Sequence, residues 1–256
     1  MGTYAIDGWG PSATGKRMTP NVSSLIGSIS GGVSEGVYPE VSRCNIFSEN
    51  YVGLDAVVQP KLAARKGEIL FLRSHSYYLI TNVVGDAPLI LQSFKGMPEN
   101  FSFPKASLET IYKQMIGDLR KALDVLPATT TELGCITKPA AAHFLAKLYL
   151  NRAQAANWPS AEPHLKMLYK GSVSTDLDSA KFYPTMVIDQ MKGNSSYGGL
   201  EPDFATLRKN ATGDYAREKS NEILLSAQYE PTKRYDGRYG NNLIHLYNSN
   251  HTSSRA

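Results

Sequence analysis

The residue types best suited to bind a metal ion or to catalyse a reaction are sparse in this sequence. Its five histidines show neither the His-x-x-x-His nor the His-Glu-x-x-His spacing that places two zinc ligands on one helical face. The two cysteines, Cys44 and Cys135, form no Cys-x-x-Cys pair, and both are predicted to be ordinary buried thiols. We therefore expect no metal site and no cofactor.

Two short segments approach known ligand-binding patterns without completing them. Residues 10–17, GPSATGKR, approximate a phosphate-binding loop, but Arg17 stands where a Ser or Thr should contact magnesium, and Pro20 follows where a helix should begin. Asp176 and Asp178 open like a calcium-binding loop that lacks its Gly and its closing Glu. We interpret the first segment as a surface loop and the second as a solvated loop.

Catalytic patterns are equally weak. There is no Gly-x-Ser-x-Gly turn to present a nucleophilic serine, and no pair of carboxylates stands out for glycoside hydrolysis. The sequence predicts a binding protein without catalytic residues, and an enzyme with an unrecognised site is the more distant alternative.

Aromatic and polar side chains instead suit the binding of sugars. Aromatic rings pack against the apolar C–H faces of a sugar, and Asn, Asp and Arg side chains bond its hydroxyls, often from loops. The chain has 15 Tyr and 2 Trp. The candidate ligand-binding residues lie in the irregular ends: Asp7, Trp9, Arg17, Tyr235, Tyr239 and Asn241. The alternative is that these are loop residues without a ligand.

The elements that would position such loops are predicted to be helices. The longest helical pattern lies within residues 61–91, where Gly85 and Pro88 mark its end. Its apolar stripe is predicted to be Ile69, Leu72, Ser76, Leu79, Ile80 and Val83. The polar residues between them, such as Arg73, are expected either to face solvent or a ligand, or to be paired within a helix packed on two sides.

Further helices are predicted on both sides of this one. Ser107 should cap a helix that runs to Leu126, and Thr137 should begin another with Pro139 in its first turn. A helix is also predicted at residues 38–51, and a shorter one at residues 162–169. Residues 21–35 are predicted to form a small-residue loop, and residues 221–229 a short strand.

Three of these segments resemble, in the same order, the motifs of one protein family. RSHSYYL at residues 73–79, followed by VGDAPL at residues 84–89, resembles the signature helix and turn of the SusD/RagB family. Asp118-Leu119 with Leu126-Pro127, and the segment from Thr137 to Leu150, are similar to two later family segments. The resemblance covers roughly residues 38–229.

The resemblance implies a mainly α fold, with a degenerate tetratricopeptide-like helical-repeat core, irregular loops and a few short strands. We expect a single SusD-like domain over residues 1–256, truncated at both ends, with a helical core at about residues 38–171 and a loop-rich part at residues 172–256. The N-terminus has neither the charged start nor the apolar run of a signal peptide.

The function that the resemblance implies is capture of an oligosaccharide or another nutrient at the surface of the outer membrane, for delivery to a SusC-like TonB-dependent transporter. The expected attachment is a lipid anchor that this chain does not contain. The alternative is an intracellular helical-repeat adaptor that binds peptides.

Net charge and hydropathy limit the other partners. The formal net charge is +4, and the basic residues are spread along the chain, so no nucleic-acid partner is predicted. No apolar run reaches the roughly 18 residues that a membrane-spanning helix needs.

Overall fold

The computed structural model describes residues 22–51, 60–94, 96, 102–132, 134–157, 172–192 and 223–225. The chain divides into two compact units, Val37–Ser226 and a second formed by Met1–Gly36 with Ala227–Ala256. Of the second unit, the structure describes only residues 22–36, which are helical.

The described residues are mostly helical, which confirms the predicted mainly α fold. The helices are α1 (Val22–Asn50), α2 (Pro60–Val84), α3 (Leu108–Val125), α4 (Lys138–Asn157) and α5 (Val173–Lys192). Two short strands, β1 (Ala87–Pro88) and β2 (Lys105–Ala106), pair antiparallel, with Ala87 opposite Ala106. The predicted helix at residues 162–169 lies outside the described residues. Of the predicted strand at residues 221–229, only residues 223–225 are described, and they are not in a strand.

Helix α1 begins much earlier than predicted. Residues 22–35, interpreted as a loop because of their Gly and Ser content, are helical and continuous with the predicted helix. Pro39 lies inside α1. Each Gly costs only about 1 kcal/mol in a helix, and such a preference is readily overridden by the surrounding structure.

Helix α2 ends where it was predicted to end, but it buries a different face. Gly85 has φ 71°, and its N–H donates to the carbonyl of Thr81 at 3.0 Å, which closes the helix. Of the predicted stripe, Ser76 and Ile80 are fully buried, whereas Val83 is 42% exposed. The side chains that pack inward include polar ones: Leu70, Phe71, Arg73, Ser74, Tyr77 and Ile80. Helix α2 is therefore packed on more than one side with its polar groups paired, one of the two arrangements expected.

Helices α3 and α4 confirm their predictions closely. The Ser107 side chain accepts a hydrogen bond from the Thr110 N–H and caps α3. The apolar α3 residues that recur every three to four positions from Ile111 to Leu126 are buried, and Ala141, Phe144, Leu145 and Leu148 of α4 are at most 6% exposed. Small residues on α4, such as Ala140 and Ala142, are buried too, so neighbouring helices can approach closely.

Helix α5 was not predicted, because its segment was interpreted as a solvated loop in the loop-rich part of the chain. Residues 173–192 instead form a helix that packs extensively on α4. Asp176, one of the two residues that suggested a calcium loop, is only 1% exposed and binds Arg152. A buried ion pair between two helices therefore replaces the predicted loop.

The helices pack as neighbours in sequence, α2 on α3, α3 on α4, and α4 on α5. The two thiols differ: Cys44 is buried as predicted, whereas Cys135 is partly exposed. Cys135 lies in the connection before α4, where its thiol contacts Arg65 and Glu132, each at 3.4 Å. The prediction of a buried thiol is wrong for Cys135 because this connection runs along the surface.

Candidate functional site

The six candidate ligand-binding residues, Asp7, Trp9, Arg17, Tyr235, Tyr239 and Asn241, lie outside the described residues, so their role stays a prediction. The phosphate-loop-like segment at residues 10–17 lies outside them as well. Within the part of the chain that is described, no group of three or more His, Cys, Asp or Glu side chains could hold a metal ion. None of the described helices is long and apolar enough to cross a membrane.

At the centre of the described structure is a buried ion pair between α2 and α3. Arg73 Nε donates to Asp118 Oδ2, and Arg73 Nη2 donates to Asp118 Oδ1, each at 2.8 Å. The two side chains are only 9% and 2% exposed. Gln114 Nε2 donates to Asp118 Oδ1 at 2.9 Å, so one carboxylate oxygen accepts a second bond. This bidentate geometry is the strongest that an arginine and a carboxylate can form.

Asn45 connects this ion pair to the loop that follows β1. Its Oδ1 accepts a bond from Arg73 Nη1 at 2.9 Å, and its Nδ2 donates to the carbonyls of Ile90 at 3.0 Å and Gln92 at 3.3 Å. Asn45 is fully buried. Both bonds are partly buried, and a carbonyl withdrawn from water without a partner costs free energy. Asn45 therefore fixes the backbone of this loop to the buried core.

Two tyrosines hold the same loop. The Tyr77 hydroxyl donates to the Ile90 carbonyl at 2.9 Å and accepts from the Ile90 N–H at 2.7 Å. It therefore bonds both backbone groups of Ile90, which lies outside the two described strands. The Tyr38 hydroxyl donates to the Pro88 carbonyl at 3.1 Å. Burial raises the pKa of Tyr77 to about 12, which keeps its hydroxyl protonated and able to donate at neutral pH.

The turn before the loop is fixed from its other side. Asp86 Oδ1 accepts a bond from the Leu108 N–H at 2.8 Å, at the first residue of α3. A carboxylate at this position accepts from one of the free N–H groups in the first turn of the helix. Its negative charge also interacts favourably with the positive end of the helix dipole. Glu49 accepts bonds from both the N–H and the hydroxyl of Ser93, which holds the far end of the loop to α1. Residues 85–93 are therefore tied to α1, α2 and α3.

An exposed aromatic pair follows this held segment. Phe94 and Phe103 lie edge to face, with ring centroids 5.6 Å apart, and are 47% and 38% exposed. Leu91 beside them in sequence is 37% exposed. Aromatic rings that are exposed to solvent beside an ordered backbone can pack against the C–H faces of a ligand. This pair was not predicted from the sequence, because all of the candidate ligand residues lie near the two ends of the chain, which contain Tyr and Trp.

The hydrogen bonds of Tyr77 can be tested directly. Tyr77→Phe is expected to lower the free energy of unfolding by about 1–3 kcal/mol, since the Ile90 N–H loses its side-chain partner and the Ile90 carbonyl keeps only the bond from Asn45. The matched control is Tyr78→Phe, because the Tyr78 hydroxyl has a long 3.4 Å bond from Asn151. Hydrogen exchange should show at least about tenfold faster exchange of the Ile90 amide in Tyr77→Phe only. Unchanged exchange at Ile90 would contradict the assigned role.

Comparison with known proteins identifies the class to which this fold and its buried network belong. The family described as "Starch-binding associating with outer membrane", a SusD-like family, matches residues 35–150. These residues contain Asn45, Arg73, Tyr77, Asp86 and Asp118, so the matched region is the one that the network holds together. Residues 35–150 therefore match a SusD-like family, which supports the resemblance to the SusD/RagB family.

One relative is similar in sequence, and two solved structures share the fold. SusD-like protein P2 of Formosa agariphila is 26% identical over 197 residues, which cover 70% of this chain and 38% of that protein. A crystal structure with xylogluco-oligosaccharide has a TM-score of 0.62 at 22% identity and covers 84% of this chain and 40% of its own. A SusD superfamily protein from Parabacteroides distasonis has a TM-score of 0.56 at 18% identity, with coverage of 83% and 39%. The chain thus spans about two fifths of the length of these relatives.

Proposed function

We propose that this chain binds carbohydrate at the outer membrane and passes it to a SusC-like TonB-dependent transporter. The observation that carries the proposal is the family match over residues 35–150, whose family description names starch binding and the outer membrane. The neighbour crystallised with xylogluco-oligosaccharide supports an oligosaccharide as the ligand. The proposed role is capture of the ligand, with no bond made or broken.

Two regions are proposed to contact the sugar. The first comprises the six predicted residues at the ends of the chain, Asp7, Trp9, Arg17, Tyr235, Tyr239 and Asn241. The second is the exposed pair Phe94 and Phe103, whose rings suit the C–H faces of a neutral sugar. The network of Arg73, Asp118 and Asn45 supports this second region by fixing the preceding loop, since a binding surface is more effective when it is rigid before binding.

Affinity electrophoresis with a panel of polysaccharides tests the proposal. Retardation of the folded chain by starch, xyloglucan or laminarin is expected, with weaker retardation of Trp9→Ala, Tyr235→Ala and Phe94→Ala. Ile188→Ala is the control, because Ile188 is an exposed apolar side chain, 48% exposed, that lies on α5. Lack of retardation by every polysaccharide, for a chain with a helical circular dichroism spectrum, would contradict carbohydrate binding.

The proposed delivery step has its own test. A SusC-like transporter is expected to co-purify with the tagged chain from detergent-solubilised outer membranes. Recovery of the chain from the cytoplasmic fraction, together with binding to peptides, would instead favour the helical-repeat adaptor. No observation on the described residues favours that alternative over the family assignment.

A further inference from the structure

A cavity of about 320 Å³ lies between α3, α4 and α5, away from the loop described above. Basic and hydroxyl side chains line it, among them Lys113, Arg120, Arg152, Thr175 and Ser179. The lining also includes an aromatic ring, that of Tyr149 of α4. The cavity combines the chemical groups that bind an anion with those that bind a sugar.

Arg120 is held at this cavity by neutral groups. Its Nη2 donates to the Tyr149 hydroxyl at 2.7 Å, and its Nε donates to the Tyr183 hydroxyl at 3.3 Å. Among the described residues it takes part in no ion pair. Arginine has five N–H donors, so Nη1 retains donors for a ligand oxygen. The Tyr149 hydroxyl, which lines the cavity, accepts from Arg120 and can therefore donate its own proton to the same ligand.

The other charges around the cavity are compensated. Arg152 Nε and Nη2 donate to Asp176 at 2.9 and 2.7 Å, and Lys113 Nζ lies 3.5 Å from Glu109. Three cations, Lys113, Arg120 and Arg152, therefore face two carboxylates, which leaves an excess of one positive charge, that of Arg120. Asp176 faces the cavity, but its two oxygens are engaged by Arg152.

The rings next to Arg120 form a layered group. Tyr149 and Tyr183 stack with centroids 5.9 Å apart and an interplanar angle of 12°, and the guanidinium of Arg152 lies 5.5 Å from the Tyr149 centroid. Phe182 meets Tyr183 edge to face at 5.3 Å and is largely exposed. A ligand anion at Arg120 would thus have aromatic surface beside it, which favours an anionic group carried by a sugar ring over a free inorganic ion.

We propose that this cavity is a second saccharide site, in which Arg120 binds the carboxylate or sulfate group of an acidic sugar. The inference rests on the proposed function, because it takes saccharide to be the ligand class. The shared chemistry is an oxyanion that accepts from Arg120 Nη1 and from the Tyr149 hydroxyl. A neutral sugar would leave the Arg120 charge without a counterion and is expected to bind elsewhere.

Isothermal titration calorimetry of the full chain tests this site. The probes are an oligogalacturonate, which carries carboxylates, a sulfated carrageenan oligosaccharide and a neutral xyloglucan oligosaccharide. At least one acidic probe is expected to bind, at least about tenfold more weakly to Arg120→Gln. The matched control is Arg65→Gln, which removes one surface arginine from α2 and should change affinity less than about twofold. Xyloglucan affinity should not change in either variant.

A second variant guards against a folding defect in Arg120→Gln. Gly117 lines the cavity and has open space around its Cα, so Gly117→Phe should fill the cavity without removing a charge. It is expected to weaken binding of the acidic probe while the circular dichroism spectrum stays helical. The inference is overturned if both variants bind the acidic probe as the wild type does, or if only xyloglucan binds. If only xyloglucan binds, the proposed carbohydrate-binding function still stands. If no saccharide binds, both proposals fail.

Discussion

Arg73→Met is expected to lower the free energy of unfolding by about 3–5 kcal/mol, because it leaves the Asp118 carboxylate buried without its cation. Asp118 is 1% exposed, and its remaining side-chain partner is the neutral amide of Gln114. Removal of one member of a buried pair costs far more than the pair itself contributes. Asn45 also loses a donor, so the loop at Ile90 and Gln92 should loosen as well. Urea unfolding followed by circular dichroism measures the loss.

The matched control for this variant is Arg65→Met on the same helix. Arg65 pairs with Glu68 and Glu132, but its side chain is 50% exposed, so its loss should cost at most about 1 kcal/mol. The double variant Arg73→Met with Asp118→Leu should recover part of the loss, since no charge is then left buried. Equal unfolding midpoints for Arg73→Met and Arg65→Met would show that the buried pair does not hold α2 to α3.

Gly67→Val should cause the second largest loss, about 3 kcal/mol, through overpacking between α2 and α3. A Cβ at Gly67 would lie 2.8 Å from Leu126 Cγ and 2.9 Å from Val125 Cγ2, and Leu126 is itself 2% exposed. The two further methyls of valine enlarge the clash, so the end of α3 would have to move away from α2. Thermal and urea unfolding of the variant measure the effect.

Gly117→Val is the control for this substitution. Gly117 also lies within a helix, but nothing is within 4 Å of a Cβ placed there. Valine has a slightly better helix propensity than glycine, so this variant should be as stable as the wild type or more stable by a few tenths of a kcal/mol. Similar losses at Gly67 and Gly117 would mean that helix propensity, and not close approach of the two helices, decides the outcome.

The helices that were predicted correctly are those whose local signals agree with their packing. Ser107 caps α3, and the α3 residues that recur every three to four positions are the ones that are buried. Gly85 ends α2 in the left-handed conformation, as its position suggested. In these places the turn chemistry and the apolar periodicity point to the same structure, so the sequence alone is sufficient.

Two of the predictions that failed, the buried face of α2 and the loop at Asp176, concern polar residues that are buried in pairs. Arg73 and Ser74 lie on the packed side of α2, so an apolar stripe could not identify that face. Asp176 was assigned to solvent because its partner Arg152 lies on another helix, 24 residues away. Such pairs are stable only when both members meet in the folded chain. The spacing of residues along the sequence does not show which two polar side chains meet in the folded protein.

The family motif acquires a physical meaning from these contacts. Its residues Arg73, Tyr77 and Asp86 are engaged with Asp118, Ile90 and the N-terminus of α3. Tyr77 and Asp86 fix backbone groups, and Arg73 fixes the buried side chains of Asp118 and Asn45. The motif therefore identifies the scaffold, and the ligand residues must be sought elsewhere.

Binding of the purified, folded chain to a glycan array and to a peptide array is the measurement that tests the proposed function most directly. We expect signals on oligosaccharides, with reduced signals for Trp9→Ala and Phe94→Ala on neutral glycans and unchanged signals for Ile188→Ala. The peptide array should remain blank. Signals on peptides with none on any glycan would contradict carbohydrate binding and favour the helical-repeat adaptor.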